Sequence, residues 1–234
     1  MYTANKDHLI LSKITRITYI LYACLAWYLF FNFLNWPLSS WSTLGLSTWI
    51  IDFTEKHPGY NGLISYFPAT LVLAIMGLMY GTTTNRFKLG RWNKHWLWFF
   101  GAVSLVQMIS FTLPEESFTT NYLNVSSFDI PAKLLLALVC APIAEELLFR
   151  GFIPEIFSAI FGDKIGLWVG IIFSSILFGF IHRQYGIETQ LSLVALGMIL
   201  GYARIFSGGF LLPFSLHFIA GFIAVFGGYL QLIN

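Results

Sequence analysis

The amino-acid sequence predicts an all-α fold, a polytopic membrane bundle of about seven transmembrane helices, and three observations carry that prediction. Hydrophobic residues make up 57% of the 234-residue chain and charged residues only 10%, with a mean hydropathy of +0.72, a balance foreign to water-soluble domains. The apolar residues fall into runs of about 20, the length a helix needs to cross the hydrocarbon of a bilayer. The charged residues gather in short clusters between those runs. A single membrane domain of this kind uses nearly the whole chain. The net charge of +2 gives no basic surface for nucleic acid, so no nucleic-acid partner is expected. Cys24 and Cys140 both lie inside apolar runs, where a small buried hydrophobe is the simpler reading than a disulfide or metal pair.

In chain order, the first expected span runs from Ile14 to Trp36, read as uncleaved because its length and its Trp and Tyr content suit a spanning helix better than a signal peptide. Tyr60 to Gly81 and Trp96 to Leu113 make the second and third. Ser42 to Phe53 is too short to cross and reads as an interfacial or re-entrant piece. The segment holding Arg86, Lys88, Arg91 and Lys94 is strongly basic, whereas Pro114 to Asp129 carries Glu115, Glu116 and Asp129 and no Lys or Arg. That asymmetry places the N-terminus and the basic loop in the cytoplasm. Pro131 to Ile160 is mostly apolar but interrupted by Pro142, Glu145, Glu146, Arg150, Pro154 and Glu155, and is expected as one long, kinked helix. A turn at Phe161 to Lys164 follows, then spans at Ile165 to His182, Glu188 to Phe206 and Phe210 to Leu232.

Ionisable side chains inside such segments cost about 2.5 to 3.5 kcal/mol each on insertion scales and usually mark function. Here they cluster. Glu145 and Glu146 are adjacent, and Glu146 and Arg150 stand one turn apart on a common helix face. Glu146 thus has a natural ion-pair partner, and a structural salt bridge is as good a reading of that pair as a catalytic one. Glu145 has no partner in sequence. An unpaired carboxylate in a low-dielectric bundle holds a proton more readily than one in water, which suits a general base working near neutral pH.

Two histidines, His182 after Phe178 and His217 after Pro213, also fall in apolar runs; each alone would read as a core residue more often than as a ligand. Depth connects them. Glu145 and His182 lie at similar distances either side of Asp163, so a hairpin turning there sets both roughly 27 to 29 Å from its tip. His217 lies only about 12 Å along its own helix, so the three meet if the hairpin overhangs by about 15 Å. This arrangement would put them about 12 Å below the cytoplasmic surface, reachable by water from that side.

Together, Glu145-Glu146-x-x-x-Arg150, Phe178-x-x-x-His182 and His217 resemble the CAAX prenyl endopeptidase and bacteriocin-processing (CPBP, Abi) family of intramembrane metalloproteases. The resemblance covers Pro131 to Leu232 and divides the chain into variable N-terminal transmembrane helices, 1–130, and a CAAX protease-like core, 131–234. It implies that Glu145 is the catalytic glutamate, that Glu146 and Arg150 support it, that His182 and His217 hold the attacking water, and that Phe178 shapes the site. Zinc held by Glu145, His182 and His217 is an expected cofactor. The expected partner is a membrane-associated peptide or protein, met in the lipid bilayer of a bacterial plasma membrane and cut near the cytoplasmic face, in leader processing or bacteriocin self-immunity. One position departs from the pattern: the family commonly has Asn or Asp four residues after the last histidine, and Gly221 stands there. Loss of a donor at that place costs about 10²- to 10³-fold in rate. It favours an alternative, a non-catalytic membrane immunity or regulatory partner. A small proton-coupled transporter ranks third, since no inverted repeat is visible.

Overall fold

The structure is a computed structural model and describes residues 2–34, 48–84, 87–92 and 96–233. Among these residues it is all helix and turn, without strands. The described residues form nine helices: α1 (Tyr2–Leu34), α2 (Thr48–Lys56), α3 (Pro58–Thr84), α4 (Trp96–Ser110), the single turn α5 (Ser117–Thr120), α6 (130–161), α7 (Asp163–Ile181), α8 (Ile187–Ser207) and α9 (Leu211–Ile233). Among the described residues, five stretches are long and apolar enough to cross a membrane: Ile14–Leu34, Pro58–Gly81, Lys164–Ile181, Ile187–Ser207 and Leu211–Ile233. Large apolar side chains cover their outer faces, with Leu78 71% and Ile165 66% exposed, a surface suited to lipid rather than water.

The other two expected spans fall short of that standard for physical reasons. α4 has only 15 residues, about 22 Å of helix against a hydrocarbon core of about 30 Å. α6 is long enough but carries Glu145, Glu146, Arg150 and Glu155 in its second half. Of the short piece expected at Ser42 to Phe53, residues 42–47 lie outside the described residues, as do the last two of the first expected span; Thr48 to Phe53 opens α2.

The two prolines inside α6, Pro142 and Pro154, do not break it. Each lacks an N–H and presses its ring on the carbonyl four residues back. The helix widens just before each one, at Leu136–Cys140 and Glu146–Phe152. There the Ala141 N–H reaches the Leu136 carbonyl and the Ile153 N–H reaches that of Leu148, five residues back instead of four. Such π turns absorb the proline as a local bulge, so the expected kink takes this form. At Gly162, with φ +86°, the chain reverses. α6 and α7 then pack with backbones close together, because Gly166 faces Phe157 and Ser158 and Gly170 faces Pro154, where a Cβ would collide.

Two cores result. One joins α1, α3, α6 and α7 through Ala26, Leu73, Leu148, Phe149, Phe152 and Phe178. The other joins α4, α8 and α9 through Val103, Leu196, Leu200, Leu212 and Leu216. The ends of the bundle are distinguishable. At the basic end, residues 88–91 pair with the α8–α9 turn: Arg91 N–H donates to Ser207 O (3.2 Å), Phe210 N–H to Lys88 O (3.1 Å) and Leu211 N–H to Leu89 O (2.8 Å). At the acidic end, Glu116 accepts a hydrogen bond from Gly186 N–H (2.8 Å), and Phe118 meets Tyr185 edge-on at 5.5 Å.

Candidate active site

The site forms on the seam between the two cores. Glu145 and Glu146 come from the middle of α6, Phe178 and His182 from the end of α7, and His217 from the second turn of α9. Near Glu145, Gly151 packs under Phe87 and Phe210 from the basic end. α6 therefore runs on for ten more residues, about 15 Å, past that level, the overhang that the depth argument requires.

Glu146 is the organising group. It is 2% exposed, and its Oε1 accepts from Arg150 Nη1 at 3.1 Å and stands 2.8 Å from His217 Nδ1. Because a carboxylate only accepts, Nδ1 must carry the proton and donate it, which leaves Nε2 as the working nitrogen of His217. Arg150, also 2% exposed, reaches Gly197 O of α8 with Nη2 at 3.4 Å and lies 4.6 Å above the Phe178 ring. One guanidinium thus ties α6, α7 and α8 together around the site. Glu146 Oε2 is buried without a hydrogen-bond partner.

Glu145 was expected to lack a partner, and the structure corrects this. Its Oε2 lies 3.4 Å from His217 Nε2, a partner supplied by a helix 72 positions downstream that no local spacing could indicate. With Nδ1–H directed at Glu146, Nε2 accepts, and so does the Glu145 oxygen beside it. A water molecule donating one O–H to each would be held between them.

His182 is placed differently. It caps α7, and its Nδ1 faces Phe178 O at 2.6 Å, so Nδ1 donates and Nε2 remains free. Phe178 separates the two imidazoles, meeting His182 at 4.8 Å and His217 at 5.7 Å, edge-on to both. His182 makes no ion pair with Glu145 or Glu146, but it lines the same cavity as Glu145 and His217. For the zinc that the resemblance implies, the described residues contain no group of three His, Cys, Asp or Glu side chains gathered to hold a metal ion. Glu145, His182 and His217 share a wall without converging, and no step below is routed through a metal.

The cavity itself has a volume of about 280 Å³. Its walls include Phe118, Thr119, Tyr122, Gln184 and Tyr185, all from the acidic end of the bundle. A smaller one of about 200 Å³ continues past Glu145 and His182 along Phe30, Phe31 and Phe149. Toward the basic end the way is filled by Phe87, Phe152 and Phe210, whose rings pack in contact. Water is expected from the basic, cytoplasmic end, whereas the lining residues Phe118, Thr119, Tyr122, Gln184 and Tyr185 lie toward the acidic one.

Some lining residues had no motif to announce them. Tyr66 lines both cavities, and Gln107 reaches the larger one from α4. A Gln inside an apolar run was a legible signal, since uncharged polar groups also resist burial in lipid. A second polar cluster lies nearer the basic end, where Tyr80 donates to Glu155 Oε2 at 3.4 Å and Arg204 covers the Phe210 ring at 4.4 Å.

Gly221 lines the cavity one turn beyond His217. A Cβ there would meet Ala137 O and Leu138 Cδ2 at 3.4 Å, ordinary contact. Close helix packing is therefore the role of Gly227 and Gly228, where a Cβ would strike Phe111 and Thr119, and not of Gly221.

Residues 127–223 match the family described as type II CAAX prenyl endopeptidase, Rce1-like. The chain is also similar to an Escherichia coli protein described as an uncharacterized 24.3 kDa protein, with 36% identity over 128 residues, 51% of this chain and 58% of that relative. The alignment thus spans under two thirds of the relative's length. No solved structure matches.

Proposed function

We propose that this chain, which carries the Rce1-like type II CAAX prenyl endopeptidase domain over residues 127–223, is an intramembrane endopeptidase that cuts a membrane-associated peptide or protein with a glutamate-activated water. The observation that carries the reading is the run of contacts Arg150–Glu146–His217–Glu145, at 3.1, 2.8 and 3.4 Å. A structural ion pair needs only the first of these. The extension through an oriented imidazole to a second carboxylate, on the wall of a cavity large enough for a peptide segment, is what a hydrolase requires.

In the proposed reaction, Glu145 and His217 Nε2 hold the water, and Glu145 takes one of its protons. The oxygen forms a bond to the peptide carbonyl carbon as the C=O π electrons move onto the carbonyl oxygen. Those electrons return as the C–N bond breaks, and Glu145 gives the proton to the leaving amine. Glu146 and Arg150 keep His217 in the tautomer that presents Nε2, and Phe178 fixes the spacing of the two imidazoles. His182 Nε2 is free to receive a hydrogen bond from the substrate backbone.

The test is cleavage of a panel of membrane-anchored peptides by purified protein in liposomes, with a chelator in a parallel sample. Cleavage supports the reading, and its loss on chelation would bring a metal into the site. Folded protein that cuts nothing in the panel would favour the second reading, an immunity or regulatory membrane partner, for which Gly221 speaks.

The cavity walls also make an approach prediction. If the basic end faces the cytoplasm, Gln184 faces the outside. In a chain with Cys24 and Cys140 replaced by alanine, Gln184→Cys is expected to react with a membrane-impermeant maleimide added to intact cells. Labelling only after the cells are opened would reverse the approach and restore a cytoplasmic one.

A further inference from the structure

The peptidase reading leaves one charge unattended. When water adds to the carbonyl, negative charge develops on the carbonyl oxygen, and a preorganised donor at that point is worth a large part of the rate. Glu145 and Glu146 are acceptors, His217 Nδ1–H points away to Glu146, and Arg150 is turned to Glu146, Gly197 and Phe178. Gly221 has no side chain to offer.

Gln107 lines the same cavity as Glu145 and His217. It is the last of three residues, with Phe99 and Val103, that form the buried stripe of α4, and it is 8% exposed. Its amide has no hydrogen-bond partner among the described residues, and its polar atoms are open to the cavity instead of sealed in protein. A primary amide in an apolar stripe is unfavourable to bury unless something hydrogen-bonds to it. Of the phenols on the cavity wall, Tyr122 donates elsewhere, to Lys133 O at 3.0 Å, and Tyr66 is the competing donor.

We propose that Gln107, resting on the peptidase reading above, is the catalytic residue whose Nε2–H binds the carbonyl oxygen of the scissile bond and stabilises the oxyanion, doing from α4 what Gly221 cannot do from α9. Gln107 and Glu145 line one cavity from different helices, α4 and α6, so a carbonyl seated in it would meet base and donor from separate walls.

The experiment is steady-state cleavage of whichever anchored peptide the wild-type protein cuts, by purified full-length variants whose folding is checked by thermal unfolding. Gln107→Met, of similar length and without a donor, is expected to lower kcat about 10²- to 10³-fold with KM changed less than threefold. Gln107→Asn, shorter but still a donor, should keep part of the rate. Gly221→Asn added to Gln107→Met should recover at least tenfold, because the Cβ has room and an amide returns from the other wall. Should the Met variant fail to fold, Gln107→Glu replaces it and should lose more, since an ionised carboxylate repels the oxyanion.

A Gln107→Met enzyme within threefold of wild-type kcat, beside an inactive Glu145→Gln enzyme, overturns the role of Gln107 and leaves the peptidase reading standing. So does a loss of rate that appears in Tyr66→Phe and not in Gln107→Met. A wild-type protein that cuts nothing overturns both.

Discussion

Glu145→Gln is expected to abolish cleavage, by about 10²- to 10⁴-fold in kcat, while the protein stays folded. The amide keeps the shape of the carboxylate but cannot take a proton from water. Its ground-state contacts are few: one approach to His217 Nε2 at 3.4 Å, with the side chain 13% exposed at the cavity wall. Glutamine can donate its own N–H to Nε2, so the resting contact survives and the loss can be assigned to proton transfer. Single-turnover cleavage in liposomes and thermal unfolding in detergent measure the two halves of the claim. An active Gln variant would remove Glu145 from the base role. An inactive variant that still complements a null strain would show that the cellular role is binding, the alternative that Gly221 favours.

How much of this was legible in the sequence follows the range of the interactions. The Glu146–Arg150 pair is one helical turn apart, so 3.6-residue periodicity alone brought it out, and it forms at 3.1 Å. The long helix through Pro142 and Pro154 was legible because its apolar residues run on past both prolines and past the charged Glu145, Glu146, Arg150 and Glu155. The form of the accommodation was not, since a kink and a π bulge answer the same residue. Glu145 and His217 were expected at one depth, and they meet; that they touch depends on how α9 rotates against α6, which sequence spacing does not encode. The overhang of the α6–α7 hairpin follows from counting residues, whereas the packing of Phe87 against Phe152 and Phe210 joins three separate segments and no residue count gives it. Gln107 belongs to no motif and carries no charge, although an amide facing lipid or an apolar core poses the same question as an ionisable group. The seven expected spans follow from the lengths of the apolar runs, and the run from Trp96 to Leu113 outlasts the helix, which ends at Ser110.

Glu146→Leu is expected to have the largest effect on stability of any single change in the site. It leaves the Arg150 guanidinium, 2% exposed, without its counter-charge, and breaking a buried pair by removing one partner typically costs about 3 to 5 kcal/mol. The Gly197 carbonyl and the Phe178 face remain to Arg150, but neither carries a full charge. The double variant Glu146→Leu with Arg150→Met should recover most of that loss, because apolar replacement of an entire buried pair is often neutral or stabilising. Activity should not return with it. His217 Nδ1 would have lost the acceptor that fixes its tautomer, so Nε2 would no longer be held as the acceptor that helps Glu145 hold water. Denaturant unfolding in detergent and cleavage in liposomes, run on wild type, the single variant and the double variant, separate the two functions of Glu146. If stability and activity recover together, the pair is architecture alone and Glu145 works without an oriented imidazole. If stability recovers and activity does not, the chain from Arg150 to Glu145 operates as one catalytic unit.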